Sequence, residues 1–130
     1  MTWFLVGMAG MIGVLLRYGL GMAVWQLMPQ TAFPAGTLAV NLIGCFALGS
    51  FAGWTANGRL SPRIRTAVST GLIGSFTTYS TFSVETLDLI RQGWWSGAAA
   101  YVAASVLGGL FLARPGAAAA GGGKADGGHG

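Results

Sequence analysis

A polar stretch lies inside a segment that otherwise reads as membrane-spanning. Residues 71–85 read Gly-Leu-Ile-Gly-Ser-Phe-Thr-Thr-Tyr-Ser-Thr-Phe-Ser-Val-Glu, with six serine and threonine residues, two glycines and one carboxylate. Polar groups within a membrane normally face a protein interior or a water path, so an ion pathway is the first hypothesis. Non-helical backbone persists at membrane depth only where protein or a cavity satisfies it. A helix weakened at Gly71 and Gly74, just before these hydroxyl groups, therefore predicts ion coordination.

The composition places the whole chain in a membrane. Charged residues make up 8% of the 130 residues and the mean hydropathy is +0.62, whereas soluble domains are about 25% charged. The length allows about four helices of roughly 20 residues each. We therefore predict an all-α integral membrane protein, with one four-helix membrane domain over residues 1–114 and a disordered Ala/Gly-rich tail over 115–130. The net charge of +4 is too dispersed to predict nucleic-acid binding.

The apolar runs also predict an orientation. Spans are expected at about 3–27, 35–54, 66–90 (broken near 74–78) and 94–113. Counting basic residues by side puts Arg59, Arg63, Arg65, Arg114 and Lys124 with the N-terminus, and Arg91 on the opposite side. The positive-inside rule then favours cytoplasmic termini. Arg17 interrupts the first span, where the two interpretations are snorkelling to the interface and a place at a pore entrance.

Polar and small residues recur at helical spacing in the second and fourth spans. The second span carries Thr37, Asn41 and Gly44 or Cys45 on one face, and the fourth carries Gly97, Tyr101, Ser105 and Gly109. Hydroxyl groups of Tyr101 and Ser105 need hydrogen-bond partners, which simple helix packing does not explain well. For Asn41 two interpretations stay open, an interhelical hydrogen bond and a contact with a transported ion.

The residue types favour ion handling over enzymatic chemistry. Nucleotide-binding, hydrolase and zinc motifs are missing from the sequence, and its single histidine is His129 in the tail. Hydroxyl and amide groups and aromatic ring edges can replace the water around an anion, whereas carbonyls freed at a helix break suit a cation. The candidate donors are Asn41, Tyr79, Ser80, Thr81, Phe82, Ser83 and Ser105. Glu85 would repel an anion unless it is protonated, accepts from neighbouring donors or points aside.

Three motifs together carry a resemblance to a known family. They are Gly10-Met-Ile-Gly13 with Arg17-Tyr18; Gly36-Thr37-Leu-x-Val40-Asn41-x-x-Gly44; and Gly71-x-x-Gly74-Ser-Phe-Thr77-Thr78-x-Ser80-Thr81-Phe82-Ser83-x-Glu85. Together they resemble the small bacterial fluoride channels of the CrcB/Fluc family, over residues 7 to about 112. The third motif is highly specific, whereas the first alone would be weak.

The resemblance implies an antiparallel, dual-topology homodimer of four-helix subunits in the bacterial inner membrane, with two fluoride pores and passive fluoride export from the cytoplasm. It implies a structural Na⁺ at the dimer centre, held by the backbone carbonyls of Gly74 and Thr77 from both subunits. It also implies a pore lined by Asn41, Tyr79, Ser80, Thr81, Phe82, Ser83, Glu85, Tyr101 and Ser105, with Arg17 at the vestibule. Two positions depart from the family pattern: Tyr79 replaces the usual Phe, and Gly109 stands where a second hydroxyl is expected.

Three alternatives remain open at the level of sequence. A proton-coupled exporter of small cations or drugs would also use four helices and an intramembrane carboxylate. An assembly subunit would use the stripes of small residues only to pack helices. Within the fluoride-channel interpretation, the arginine bias leaves room for a chain of fixed orientation that pairs with a sister subunit.

Overall fold

The computed structural model describes the backbone of residues 1–121 and the side chains of residues 1–114. The described residues form helices, turns and short connections, with no β-strand among them. The helices are α1 (Thr2–Leu27), α2 (Ala35–Thr55), α3 (Pro62–Thr66), a π-helix (Ala67–Ile73), α4 (Gly74–Phe76), α5 (Tyr79–Arg91) and α6 (Trp95–Gly121).

Three of these helices are long and apolar enough to cross a membrane. They are α1, α2 and the Trp95–Arg114 part of α6. The third predicted span is present as consecutive shorter pieces, from α3 through α5, rather than as one long helix. Because this segment is interrupted and rich in polar residues, none of its pieces is both long enough and apolar enough to cross a membrane as a single helix.

The break lies within the interval that the sequence predicts. Thr77 and Thr78 are both extended, with ψ of 159° at Thr77 and φ of −147° at Thr78. Thr78 is the N-cap of α5, and its hydroxyl accepts a hydrogen bond from the amide of Thr81. Threonine is a favoured N-cap because its oxygen satisfies an amide that has no partner within the helix. The threonines therefore end one helix and start the next.

The glycines before the break have a different role from the one we predicted. Gly74 is helical, with φ of −62° and ψ of −34°, and Gly71 lies within the π-helix. A Cβ atom on Gly71 would lie 2.6 Å from the carbonyl oxygen of Val6 in α1. Gly71 is therefore required for close packing of two backbones rather than for ending a helix.

The last helix is longer than predicted, which corrects the boundary we placed at Ala113. Helix α6 continues through Pro115 to Gly121. A proline inside a helix removes one hydrogen bond without necessarily ending it. The run Ala117-Ala-Ala-Ala120 that follows has the highest helix propensity available. The rest of the tail that we predicted to be disordered, residues 122–130, lies outside the described residues.

Close contacts fix the relative directions of the helices. Helices α2 and α6 are parallel, because residue numbers along their contact increase in the same direction in both helices. The contacts are Leu42 with Gly108, Cys45 with Gly109 and Gly49 with Ala113. Likewise α1 runs parallel to the segment before the break, because Val6 meets Gly71 and Gly13 meets Leu72. Helices α1 and α2 form a hairpin through a contact between Gly21 and Gly36. The chain therefore alternates direction along its four long segments.

Large apolar side chains cover the outside of this bundle. In α1, Trp3, Phe4 and Leu15 are 87%, 67% and 70% exposed. Such a surface requires lipid or another protein chain as its neighbour. A small internal cluster of Leu89, Ala98 and Tyr101, with Phe33 and Phe82 against it, packs α5 onto α6. The polar residues of α5 are thereby held against a well-packed layer.

Gly13 offers a direct test of the packing between α1 and the third segment. A Cβ atom there would overlap the carbonyl oxygen of Leu72 and lie 3.1 Å from the Phe76 nitrogen. We expect Gly13→Ala to destabilise the protein by about 1–3 kcal/mol, because neither backbone can move without disturbing the helix pair. Thermal unfolding of the purified protein would measure this change. Gly19→Ala, in the same helix, is the matched control, because no neighbouring atom lies within 4 Å of the position that its Cβ would take. Equal unfolding temperatures for the two variants would contradict the packing described here.

Candidate functional site at the helix break

An open cavity of about 660 Å³ lies between α1, α2 and α5, next to the break. Its apolar lining comes mainly from α1 and from the connection between α1 and α2. The charged side chains that line it are Arg17, Glu85 and Asp88, and its hydroxyl groups are those of Tyr18, Thr31, Thr37, Thr78 and Thr81. The cavity therefore brings one cation, two carboxylates and five hydroxyl groups next to the interrupted third segment.

Asn41 holds the backbone at the break through two hydrogen bonds. Its Nδ2 donates to the carbonyl oxygen of Thr78 at 3.0 Å, and its Oδ1 accepts from the amide of Thr78 at 2.9 Å. The side chain thus satisfies both polar groups of one extended residue, as a neighbouring strand would. Of the two interpretations left open by the sequence, the hydrogen bond between helices is the one the structure contains. Asn41 acts on the shape of the third segment.

The break leaves the carbonyls of residues 74–77 without their usual amide donors, and for two of these carbonyls the donor is bonded to a side chain instead. In an unbroken helix the amide of Thr78 would donate to the carbonyl of Gly74, and that of Thr81 to the carbonyl of Thr77. Here the Thr78 amide donates to Asn41, and the Thr81 amide donates to the hydroxyl of Thr78 at 3.3 Å. The oxygens whose donors have bonded to side chains are those of Gly74 and Thr77, the pair that the family resemblance assigns to Na⁺. Oxygens at the end of a half-helix suit such a cation, so these residues fit a sodium ion.

Arg17 contacts the backbone at the break. Its Nη1 lies 3.5 Å from the carbonyl oxygen of Thr77, in a partly buried position. The carbonyl of Gly74 has a weaker partner, the hydroxyl of Thr77 at 3.5 Å. Arg17 therefore extends from α1 to the broken backbone instead of snorkelling away from it.

Glu85 accepts hydrogen bonds from two other helices. The Thr37 hydroxyl of α2 donates to Oε1 at 2.9 Å, and the Tyr101 hydroxyl of α6 donates to Oε2 at 2.8 Å. Each carboxylate oxygen thus has one hydroxyl donor. Among the three possibilities that the sequence leaves for Glu85, the structure contains the one in which it accepts from neighbouring donors. Glu85 of α5 is therefore hydrogen-bonded to both α2 and α6, through Thr37 and Tyr101.

Aromatic rings surround the buried Tyr101. Its ring lies 5.1 Å from that of Phe82, and Phe33 approaches edge-on, with 5.6 Å between the ring centroids and an interplanar angle of 84°. Tyr101 is fully buried, so these contacts set the direction of its hydroxyl group. Phe82 also approaches Tyr79, at 5.9 Å. Phe82 therefore contacts both the buried Tyr101, which donates to Glu85, and the exposed Tyr79 on the outer side of α5.

Several predicted pore residues lie apart from the cavity. Tyr79 is 80% exposed, and Ser80 and Ser83 are also exposed. The Ser83 hydroxyl donates to the carbonyl of Tyr79 in its own helix at 2.9 Å. The Oγ of Ser105 is buried without a hydrogen-bond partner among the described residues. Of the predicted site residues, Arg17, Thr81 and Glu85 therefore line the cavity of a single chain. The predicted hydroxyl groups of Tyr79, Ser80, Ser83 and Ser105 do not line it.

The sequence-based set of site residues omitted two that the structure brings into the site. Thr37 donates to Glu85, and Thr78 connects the break to both Asn41 and Thr81. Thr37 lies four residues before Asn41, and Thr78 lies three before Thr81. Their helical spacing from predicted residues was the signal that could have added them. At the end of α5, Asp88 and Arg91 form an ion pair at 3.8 Å, and both side chains are largely exposed.

Comparison with known proteins gives consistent matches over most of the chain. Residues 4–117 match the family described as CrcB-like protein, Camphor Resistance (CrcB). The chain is 46% identical over 113 residues to "Fluoride-specific ion channel FluC 1" of Bacillus cereus (strain ATCC 10987 / NRS 248), covering 86% of this chain and 82% of that protein. It is 48% identical over 124 residues to "Fluoride-specific ion channel FluC 2" of Geobacillus kaustophilus (strain HTA426), covering 92% and 93%. A "Fluoride-specific ion channel FluC 2" of Listeria monocytogenes serotype 4b (strain F2365) is 43% identical over 115 residues.

Proposed function

This chain belongs to the CrcB family, and on that basis we propose that it forms a fluoride-selective ion channel that lets fluoride leave the cytoplasm passively. It is a membrane protein and not an enzyme. The observation that carries the proposal is the helix break held by Asn41, with a cavity of hydroxyl groups beside it. Relatives named as fluoride channels support the choice of ion.

Permeation requires groups that replace the water around a very small anion. Removing that water is costly unless hydrogen-bond donors take its place. Arg17 gives the cavity a positive charge that attracts anions, and the hydroxyl groups of Thr78 and Thr81 lie next to it. Glu85 and Asp88 oppose an anion, but the two oxygens of Glu85 already accept from Thr37 and Tyr101, and Asp88 is paired with Arg91. These bonds spread the negative charge of Glu85 and make its repulsion of a nearby anion smaller.

We propose that the exposed polar side of α5 completes the pore when two chains associate. Tyr79, Ser80 and Ser83 point away from their own bundle, and the unpartnered hydroxyl of Ser105 is available as a donor. An antiparallel homodimer would pair such surfaces, and its exposed apolar helices would face lipid. The proposed pore comprises Asn41, Tyr79, Ser80, Thr81, Phe82, Ser83, Glu85, Tyr101 and Ser105, with Arg17 at the vestibule.

A structural sodium ion fits this proposal. The freed carbonyl oxygens of Gly74 and Thr77 would hold it, together with the same atoms of a second subunit. When bound, Na⁺ supplies a fixed positive charge that stabilises the broken backbone and favours a nearby anion. Such a site needs no side-chain carboxylate, because backbone carbonyl oxygens are its ligands.

The proposed location is the inner membrane of a bacterium, crossed four times by each subunit. The alternating directions of α1, α2, the third segment and α6 support four crossings. They also place Arg59, Arg63 and Arg65 on the same side as the N-terminus, in agreement with the count from sequence. A bias of this size favours one orientation, so pairing with a sister subunit is the alternative to a dual-topology homodimer.

Ion efflux from liposomes tests the proposed function most directly. Purified protein would be reconstituted into vesicles loaded with fluoride or with chloride, and ion-selective electrodes would follow the release. We expect rapid fluoride loss that needs no proton gradient, with chloride retained. Fluoride-tight vesicles would defeat the proposal.

The same experiment distinguishes the two other classes of protein. Release that depends on a proton gradient would favour the exporter. If the protein is only a packing subunit of a larger assembly, vesicles that contain this protein alone would release no ion. Ala substitutions at Ser80, Thr81 and Ser105 would then leave transport by the larger assembly unchanged. For a channel, each of these substitutions removes a donor from the pore and is expected to slow fluoride release.

A further inference from the structure

The carbonyl of Thr77, one of those freed at the break, already has a positively charged partner. Arg17 Nη1 lies 3.5 Å from the Thr77 oxygen, whereas the Gly74 oxygen has only a hydroxyl neighbour. Arg17 forms no salt bridge with any acidic residue in the described part of the chain. Glu85 lines the same cavity, but its oxygens accept from Thr37 and Tyr101. The Thr77 carbonyl is therefore the acceptor that holds the guanidinium.

We infer that Arg17 competes with sodium for the carbonyl oxygen of Thr77, and that Arg17 thereby sets the sodium concentration that the protein needs. This inference rests on the sodium site of the proposed function. In the absence of sodium, the guanidinium satisfies an oxygen that would otherwise be unpaired at membrane depth. When sodium binds, two positive charges lie in one small, partly buried region, where solvent screens them less than at an exposed surface, and they repel each other.

The two effects predict opposite consequences for one substitution. Removing the charge of Arg17 takes away the partner of the Thr77 carbonyl, so the sodium-free protein becomes less stable. The same change removes a repelling cation, so sodium binds at a lower concentration. If Arg17 served only to pack α1, its loss would lower the unfolding temperature equally at every sodium concentration. The sodium concentration at half-maximal stabilisation is therefore the quantity that discriminates.

The test uses the full chain, purified in detergent. Its unfolding temperature is measured at increasing concentrations of sodium chloride. N-methyl-D-glucamine chloride keeps the ionic strength constant. For Arg17→Met we expect a lower unfolding temperature without sodium and a half-maximal concentration at least about tenfold lower than that of the wild type, which corresponds to about 1.4 kcal/mol. Arg17→Gln keeps a hydrogen-bond donor without the charge, and should give the lower concentration with less destabilisation. Arg17→Lys keeps the charge and should stay near the wild type.

Arg91→Met is the matched control. Arg91 lies in the exposed pair with Asp88 at the end of α5, so its loss removes an equal charge far from the break. The control should leave the half-maximal sodium concentration unchanged. If Arg17→Met does not fold, the comparison of Arg17→Gln with Arg17→Lys gives the same answer.

The possible failures are distinguishable. An unchanged or higher half-maximal sodium concentration in Arg17→Met and Arg17→Gln overturns the competition. An unfolding temperature of the wild type that ignores sodium overturns the sodium site and this inference with it. Fluoride efflux from vesicles measures the proposed channel separately, because fluoride release by the wild type does not depend on either result.

Discussion

Replacing Asn41 with aspartate should reduce fluoride flux by at least about a hundredfold, equivalent to about 3 kcal/mol in the barrier. The substitution keeps the size of the side chain but removes the Nδ2 donor that bonds to the carbonyl of Thr78. It also places a carboxylate against that carbonyl oxygen, in a partly buried position where an unpaired charge is costly. The extended backbone at Thr78 would then lose one of its two bonds and the cavity would gain a negative charge that repels anions.

Flux would be measured by fluoride electrode after reconstitution, with size-exclusion chromatography to establish that the assembly survives. Asn57→Asp is the matched control because Asn57 is exposed in the connection after α2. The control makes the same chemical change far from the break and should conduct like the wild type. Normal fluoride flux through Asn41→Asp would mean that the bidentate contact with Thr78 has no part in conduction.

Replacing Phe82 with isoleucine should slow fluoride flux at least about tenfold while the protein still assembles. Isoleucine preserves apolar character but lacks the positive edge of an aromatic ring, which can face an anion. Phe82 also packs at 5.1 Å from the ring of Tyr101, whose hydroxyl donates to Glu85. Losing the ring therefore removes an anion contact and loosens the partner of the carboxylate. Each of these changes alone corresponds to about 1 kcal/mol.

Phe111→Ile serves as the control for this substitution, since Phe111 is 67% exposed on α6 and makes no aromatic pair within the described residues. Both variants would be assayed at equal protein-to-lipid ratios, with unfolding temperature as a measure of folding. A Phe82→Ile channel that releases fluoride at the wild-type rate would exclude an aromatic contribution at this position.

The departure at Tyr79 affects how these results would be interpreted. Tyr79 replaces the phenylalanine usual in the family and is 80% exposed in the single chain, with its ring 5.9 Å from Phe82. In the proposed dimer this surface would face the second subunit. Its hydroxyl group adds a donor where other members would present only a ring edge. The donor at Tyr79 is expected to make the loss of Phe82 less severe here than in a chain with phenylalanine at both positions.

The sequence was sufficient for the broad architecture and for the position of the break. Long apolar runs with few charges can satisfy their backbone groups in lipid only as helices, so the membrane spans follow from composition. The glycines Gly71 and Gly74 predicted a break near residues 74–78, and the structure has it within that interval, at Thr77 and Thr78. Helical spacing grouped Thr37 with Asn41 and Tyr101 with Ser105. These are local properties, which depend on neighbours within one or two turns.

The tertiary structure decided which groups satisfy one another, because hydrogen bonds between helices depend on register and distance that no single helix specifies. Only the packing of α2 against α5 brings Asn41 to both polar groups of Thr78, and only α6 brings Tyr101 to Glu85. The same packing gave Gly71 a role that the sequence did not predict, because its missing side chain lets the backbones of α1 and the third segment come close together. The sequence thus determined where the chain must break, and the contacts between helices determined which oxygens the break sets free.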